Sequence, residues 1–369
     1  MAIDETLLKR EEEVVFALRS LYRRFGYSQF KMSKFEEYDL YVKNKDFLVS
    51  DGIITFTDTN GRLKALKPDV TLSIINNSKD TGGVQKLYYN ENVYRISGST
   101  HTYKEIMQTG LECIGHIGRF EICEVLNLAM KSLETIDKSP VLELSHVGLI
   151  EAAFDELELS KELRSEIIVC INSKNSDELA AACLKHGISA EKLKVFTGNY
   201  VNAEDAFSAV KSAFSSDAVN KALDEFSAVY SVLTSLDSSV KLIVDFSCIG
   251  TMSYYSGVVF KGYIRGIPDA VLSGGQYDKL MKKLHRVDGA VGFAVYLDAL
   301  EIYDRKDKEY DVDTVLLYGE DIGAALKASE ELSSGGKSVL VCGSILKNIR
   351  CRQLIKLTEK GLETVNGND

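Results

Sequence analysis

Apolar residues at Leu7, Leu8, Val14, Val15, Leu18, Leu21, Tyr22 and Phe25 recur at helical spacing, and Gly26 ends the run. The stripe predicts one amphipathic helix whose apolar face needs a partner surface. The stretch "YSQFKMSKFEEYDLY" then predicts a strand, a loop and a short helix. "DGIITFTDTNGRLKALKPDVT" predicts a hairpin: "IITFTD" alternates, "TNG" turns and "RLKAL" returns. A helix follows from about Val70 to Lys79. "QKLYYNENVYRIS" and "KEIMQTGLECIG" are two strand patterns joined by the polar "GSTHTY", and residues 121–137 repeat at helical period. Residues 146–236 are mostly helical, rich in Ala, Leu, Glu and Lys, with turns at "NSKNSD" and "TGNYVNAED". Strand patterns return at "VKLIVDFS", "SYYSGVVFKGYI" and "DAVLSGG". A helix from Tyr277 to Leu284 precedes "GAVGFAVYLDALEIY", a strand running into a helix.

The charged "DRKDKEYD" separates this region from "DVDTVLLYGEDIGAALKASEELSSGGKSVLVCG", which reads strand, helix, strand. The pattern predicts an α+β core over residues 1–305, built on a largely antiparallel sheet. A helical insertion occupies about 146–238, and a small α/β domain spans 306–369. No repeat or low-complexity tract interrupts it, and only three prolines occur, in keeping with long regular elements.

Bulk composition narrows the class. With 369 residues, 45% apolar and 27% charged, the chain is an ordinary globular protein with a sizeable core. A net charge of −10 argues against nonspecific nucleic-acid binding, which needs clustered cations. The N-terminus "MAIDETLLKREEEVVFALRSLYRRFG" is too charged for a signal peptide, and no apolar run is long enough to span a membrane. Seven cysteines form no CxxC pair, which points to free thiols in a reducing cytoplasm and offers no zinc-ligand spacing.

Several short stretches carry possible chemistry. "EELSSGGKS" imitates the end of a phosphate-binding loop, but Glu331 stands where that pattern needs glycine, and the helix precedes the strand. A glycine-capped helix end accounts for it better. In "LSGGQYDKL" two glycines between a strand and a helix allow either close approach to a ligand or a plain turn. In "QTGLE", Gln108, Gly110 and Glu112 share one face of a strand. They make either a ligand site or a solvated sheet face. Arg95 in "VYRIS" suits bidentate pairing with a carboxylate or phosphate, or a surface ion pair. "GTMSYYSG" sets Tyr254 and Tyr255 between Gly250 and Gly257, so that in an extended segment the rings face opposite sides. The five histidines lie in unrelated contexts and support no nucleophilic triad.

Six segments taken in order, "GRLKALKPDVT", "YYNENVYRI", "QTGLECIG", "SYYSGVVFKGY", "LSGGQYDKL" and "GAVGFAVYLDAL", resemble the core of the class II histidyl-tRNA synthetases. The resemblance runs from about residue 5 to residue 303, and more loosely to the end. It implies a class II synthetase-like sheet flanked by helices, with the last segment a reduced anticodon-binding-like domain. It also implies a histidine site. Asp69, Thr71 and Gln108 would contact the α-amino group, and the family usually has Glu where Asp69 stands. Glu112 and Tyr255 would hold the imidazole, Tyr254 would lie beside them, and Arg95 of the second motif would complete the set. A homodimer formed through the N-terminal helix and the following strand is implied as well.

The departures bear on activity. The arginine that precedes the double tyrosine in the synthetases is Gly250 here, and the glycine and arginine of their last motif are Tyr296 and Ala299. Ser97 replaces a glutamate at the adenine end. Adenylate formation sets a carboxylate against a polyphosphate and needs preorganised positive charge. A synthetase core with histidine contacts and without ATP contacts resembles the regulatory subunits of ATP phosphoribosyltransferase. Those pair with the short-form catalytic subunit, which needs them for activity, and carry feedback inhibition by histidine. The resemblance therefore implies histidine and that catalytic subunit as partners, no cofactor, and no catalysis by this chain. The alternatives are an active histidyl-tRNA synthetase, or a histidine-binding regulator of another partner.

Overall fold

The structure is a computed structural model, and it describes residues 8–44, 52–78, 83–96, 102–249, 255–303, 309–345 and 348–365. The chain divides into two compact units, Met1–Asp304 and Arg305–Asp369.

The first unit opens with α1 (Arg10–Arg24). Glu11, Glu12 and Glu13 sit in its first turn and Arg23 and Arg24 in its last, which complements the helix dipole. The helix begins after Leu8, and Leu7 lies outside the described residues. Its stripe of Val14, Val15, Leu18 and Tyr22 is buried within this same chain. Tyr22 shares a 3.0 Å hydrogen bond with Ser132. The stripe is thus satisfied internally and gives no reason of its own for a second copy.

Strands β1 (Ser28–Gln29) and β2 (Phe35–Glu37) and helix α2 (Tyr38–Val42) follow, then the hairpin β3 (Thr55–Thr57) and β4 (Leu63–Leu66). In the hairpin turn the Asp58 carboxylate accepts the backbone N–H of Asn60 and of Arg62, both at 2.8 Å. Helix α3 (Val70–Asn77) is N-capped by Asp69. The long strands β5 (Gln85–Ile96) and β6 (Tyr103–Gly115) lead to α4 (Arg119–Ile136) and β7 (Val141–His146). The insertion holds α5 (Val147–Glu156), α6 (Lys161–Asn172), α7 (Ser176–Lys185), α8 (Ala203–Ala213) and α9 (Asp217–Thr234). The last elements of the unit are β8 (Lys241–Val244), β9 (Val258–Tyr263), β10 (Leu272–Gln276), α10 (Asp278–Lys283), β11 (Gly289–Tyr296) and α11 (Asp298–Tyr303).

Among the described residues, eight strands form the main sheet in the order β1-β5-β6-β11-β10-β9-β7-β8. The inner pairings are antiparallel, and the two rim pairings, β1 with β5 and β7 with β8, are parallel. The sheet is therefore mixed at its edges and antiparallel where it matters for the site. Leu111, Cys113 and Phe293 of the sheet pack with Leu18, Tyr22, Leu126, Ala129 and Leu133 in the main core, on the side of α1 and α4. A second, smaller core joins Tyr89, Val93 and Ile114 with Ile74, Tyr277 and Leu280.

Two sequence expectations change. Strand β7 lies between the two helical stretches, where the sequence pattern assigned no element, and its last residue, His146, is the first of the predicted helical insertion. The "SYYSGVVFKGYI" strand begins only at Val258. Before it, Ser256 accepts the backbone N–H of Asp278 at 2.9 Å, and its own N–H donates to the Gln276 carbonyl at 2.8 Å. These bonds tie the segment to the β10–α10 turn. Gly250 and Tyr254 lie outside the described residues.

The second unit has β12 (Val312–Leu317), α12 (Ile322–Ser333), β13 (Val339–Cys342), β14 (Cys351–Thr358) and β15 (Gly361–Thr364), ordered β13-β12-β14-β15. Its small core holds Leu316, Ala328 and Ile355. The last two strands add to the strand–helix–strand pattern read from the sequence. After α12, Gly336 takes φ +78° and its N–H donates to the Ser333 carbonyl at 3.0 Å, so "SSGGKS" is a helix end.

Candidate functional site

The sheet face opposite the main core carries a cavity of about 210 Å³. One water needs roughly 10–15 Å³ on this measure, so the space suits a small molecule. Strand pairing explains which side chains meet there. Gln108, Gly110 and Glu112 alternate onto one face of β6. Their partners across β11 are Tyr296, Ala294 and Gly292. One strand further, Ser273 of β10 pairs with Ala294, and Lys261 of β9 pairs with Ser273. All of these except Gly110 line the cavity, joined by Asp69 and Thr71 from α3 and by Arg95, Tyr255 and Tyr277.

Glu112 is the centre of the polar end. It is 1% exposed. Thr71 donates its hydroxyl to one carboxylate oxygen at 2.7 Å, and the Tyr277 hydroxyl donates to the other in a shorter hydrogen bond. Burial pushes the Glu112 carboxyl up to about 8, against the pull of those two hydroxyls and with a further push from Asp69. Gly292 directly opposite makes room: a Cβ there would collide with the Glu112 carboxylate.

Asp69 caps α3 by accepting the Leu72 N–H at 2.7 Å. Its carboxyl is also raised by burial, with Leu72 and Arg95 opposing. Arg95 donates its Nε to the Pro68 carbonyl at 3.0 Å and forms no ion pair with a described carboxylate. Gln108 is 4% exposed, yet its amide makes no hydrogen bond among the described residues. A side-chain amide lining a cavity can give a ligand both a donor and an acceptor. The Tyr255 ring packs over Gly275, whose added Cβ would stand 2.7 Å from it.

The structure thus brings Asp69, Thr71, Arg95, Gln108, Glu112 and Tyr255 to one cavity. Tyr277 belongs with them and was not singled out in the sequence. The turn "GGQYD" was noticed for its glycines, whereas its tyrosine reaches Glu112 only through packing across the sheet. Tyr296 reaches the same space from the far end of β11, where its hydroxyl shares a 2.5 Å hydrogen bond with Ser273. Burial raises the Tyr296 phenol. Chemically, the site offers hydrogen-bond acceptors and hydroxyls suited to ammonium and imidazole groups. Among the described residues no cluster of His, Cys, Asp and Glu could hold a metal ion, and no helix is long and apolar enough to cross a membrane.

The antiparallel sheet, its helical insertion and its polar cavity define an α+β protein of the class II aminoacyl-tRNA synthetase type. A solved Bacillus halodurans protein, an ATP phosphoribosyltransferase regulatory subunit/histidyl-tRNA synthetase, shares the fold. It aligns with a TM-score of 0.71 at 23% identity, over 90% of this chain and 88% of that one. The histidyl-tRNA synthetase family description matches residues 3–300, and the chain belongs to that family. Its named relatives divide between two roles. An ATP phosphoribosyltransferase regulatory subunit from Oceanobacillus iheyensis is 26% identical over 80% of this chain and 74% of its own. A histidine–tRNA ligase from Methanococcus maripaludis is 28% identical over 90% of this chain and 82% of its own.

Proposed function

We propose that this chain is a non-catalytic regulatory subunit of ATP phosphoribosyltransferase, required by the short-form catalytic subunit and carrying its feedback inhibition by histidine in histidine biosynthesis. Tyr296 carries the reading. Its ring lines the cavity at the position where the synthetases have glycine, and Ala299 follows where they have arginine. A bulky phenol and a missing cation disfavour a polyphosphate, whose transfer needs preorganised positive charge. The acceptor-rich end around Asp69, Thr71, Gln108 and Glu112 remains suited to histidine, with Arg95, Tyr254 and Tyr255 completing the binding set. The regulatory subunit from Oceanobacillus iheyensis supports the role and the partner. The protein acts in the cytoplasm as a homodimer within a hetero-oligomer and needs no cofactor.

A second reading, an active histidyl-tRNA synthetase, is favoured by the similarity to the Methanococcus maripaludis ligase. Two measurements separate them. Mixing the full chain with a short-form catalytic subunit should switch on phosphoribosyl transfer, and histidine should then inhibit it. Histidine-dependent ATP–pyrophosphate exchange should stay at background. Exchange above background, with no effect on the phosphoribosyltransferase, would establish the second reading instead.

A further inference from the structure

The polar end of the cavity accounts for an ammonium and an imidazole, but a free amino acid also brings a carboxylate. Lys261 is the cation placed to meet it. It lines the cavity from β9, in register with Ser273 of β10 on one side and Glu143 of β7 on the other. It is half-buried and makes no hydrogen bond or ion pair among the described residues. Its cross-strand neighbour Glu143 is hydrogen-bonded to Tyr263 and shares its charge interaction between Lys174 and Lys261. Arg95, the other cation lining the cavity, already bonds the Pro68 carbonyl.

A partly desolvated ammonium that makes no hydrogen bond is costly, and an anionic ligand group offsets that cost through charge-assisted hydrogen bonds. Three strand spacings separate Lys261 from Glu112 along the order β9-β10-β11-β6. At roughly 4.8 Å per strand and with a two-residue offset along it, their backbones stand about 16 Å apart. The two side chains reach in from either side, which leaves room for a ligand of amino-acid size with its basic groups at Glu112 and its acid group at Lys261.

We propose that Lys261 is the specificity-determining residue that binds the carboxylate of the cavity's ligand, with the Ser273 hydroxyl beside it. This rests on the histidine-binding reading above. The test is isothermal titration of the full chain with histidine and with histamine, which lacks only the carboxylate. Wild type should bind histidine about ten- to a hundredfold more tightly than histamine. Lys261→Met should lose most of that preference and leave histamine affinity unchanged. Lys261→Arg should keep the preference, and Lys261→Gln serves as the neutral variant if the methionine variant does not fold. A folded neutral variant that still prefers histidine as strongly as wild type overturns the proposal and leaves the histidine reading standing. Failure of wild type to bind either compound overturns the histidine reading itself, and the carboxylate anchor falls with it.

Discussion

Around Glu112, each carboxylate oxygen receives a hydroxyl, from Thr71 and from Tyr277, and the whole group is sealed from water. Four residues along the same strands, about 13 Å away, Tyr296 projects a phenol whose bond goes to Ser273, and Arg95 is turned to a backbone carbonyl. The first end is preorganised for a ligand with basic groups. The second is occupied by the protein's own ring and offers little to a nucleotide. Both ends sit on the same strands, so β6 and β11 alone do not decide what is bound. Individual side chains on shared rungs do.

The sharpest way to break this division is at Gly292. Gly292→Ala places a methyl group into the Glu112 carboxylate and against the Leu111 carbonyl. Overpacking of this kind costs about 1–3 kcal/mol. Urea unfolding should show that loss, and histidine binding should vanish with it. An alanine variant of wild-type stability and affinity would mean that Glu112 is not held where it is described.

Glu112→Ala comes next. It removes an acceptor from any ligand at this end and should weaken histidine binding by about 1–3 kcal/mol, with the fold retained by circular dichroism. Unchanged affinity would move the ligand to the other end of the cavity.

The pH dependence isolates the same carboxyl. Glu112 takes up its proton at about 8 when folded, against an ordinary value of 4.5. Its folded pKa is raised, so its contribution to stability is fully present below 4.5 and is lost as pH rises through 8, because the unfolded state releases the proton first. Wild-type melting temperature should fall across that window relative to Glu112→Gln, and the difference between the two curves reports the buried carboxyl. Parallel curves would show that Glu112 titrates normally.

The smallest effect is expected at Tyr296. Tyr296→Phe loses the hydrogen bond to Ser273, a change of about 0.5–1.5 kcal/mol in stability. Histidine affinity should change by less than about tenfold, since Ser273 keeps its hydroxyl. A larger loss would show that the Tyr296 phenol itself contacts the ligand.

Much of this was legible beforehand. The helical stripe of α1, the β3–β4 hairpin and the paired strands β5 and β6 follow from local periodicity and turn residues, which act over a few residues of chain. The common face of Gln108 and Glu112 follows from the two-residue period of a strand. The order of six short segments was enough to place the family. Tyr277 and Lys261 were not legible as site residues. Tyr277 is separated from Glu112 by 165 residues. Lys261 acquires its position from pairing with β10 and β7, and pairing partners are not written in the spacing of any one segment. The face that Arg95 would serve was also ambiguous, because a guanidinium beside a free carbonyl and one beside a carboxylate look the same in sequence.

The sequence by itself determined the alternation that puts Gln108 and Glu112 on one face, the helix that starts near Val70, and the replacement of glycine and arginine by Tyr296 and Ala299. These are properties of residue type and local period. Only the tertiary structure decided that the Glu112 carboxylate is held by Thr71 and Tyr277, that Gly292 leaves it room, and that Lys261 lines the same cavity from β9. Those outcomes depend on strand order and burial. Desolvation and cross-strand contact are set by everything packed around a side chain, whatever its neighbours in the chain.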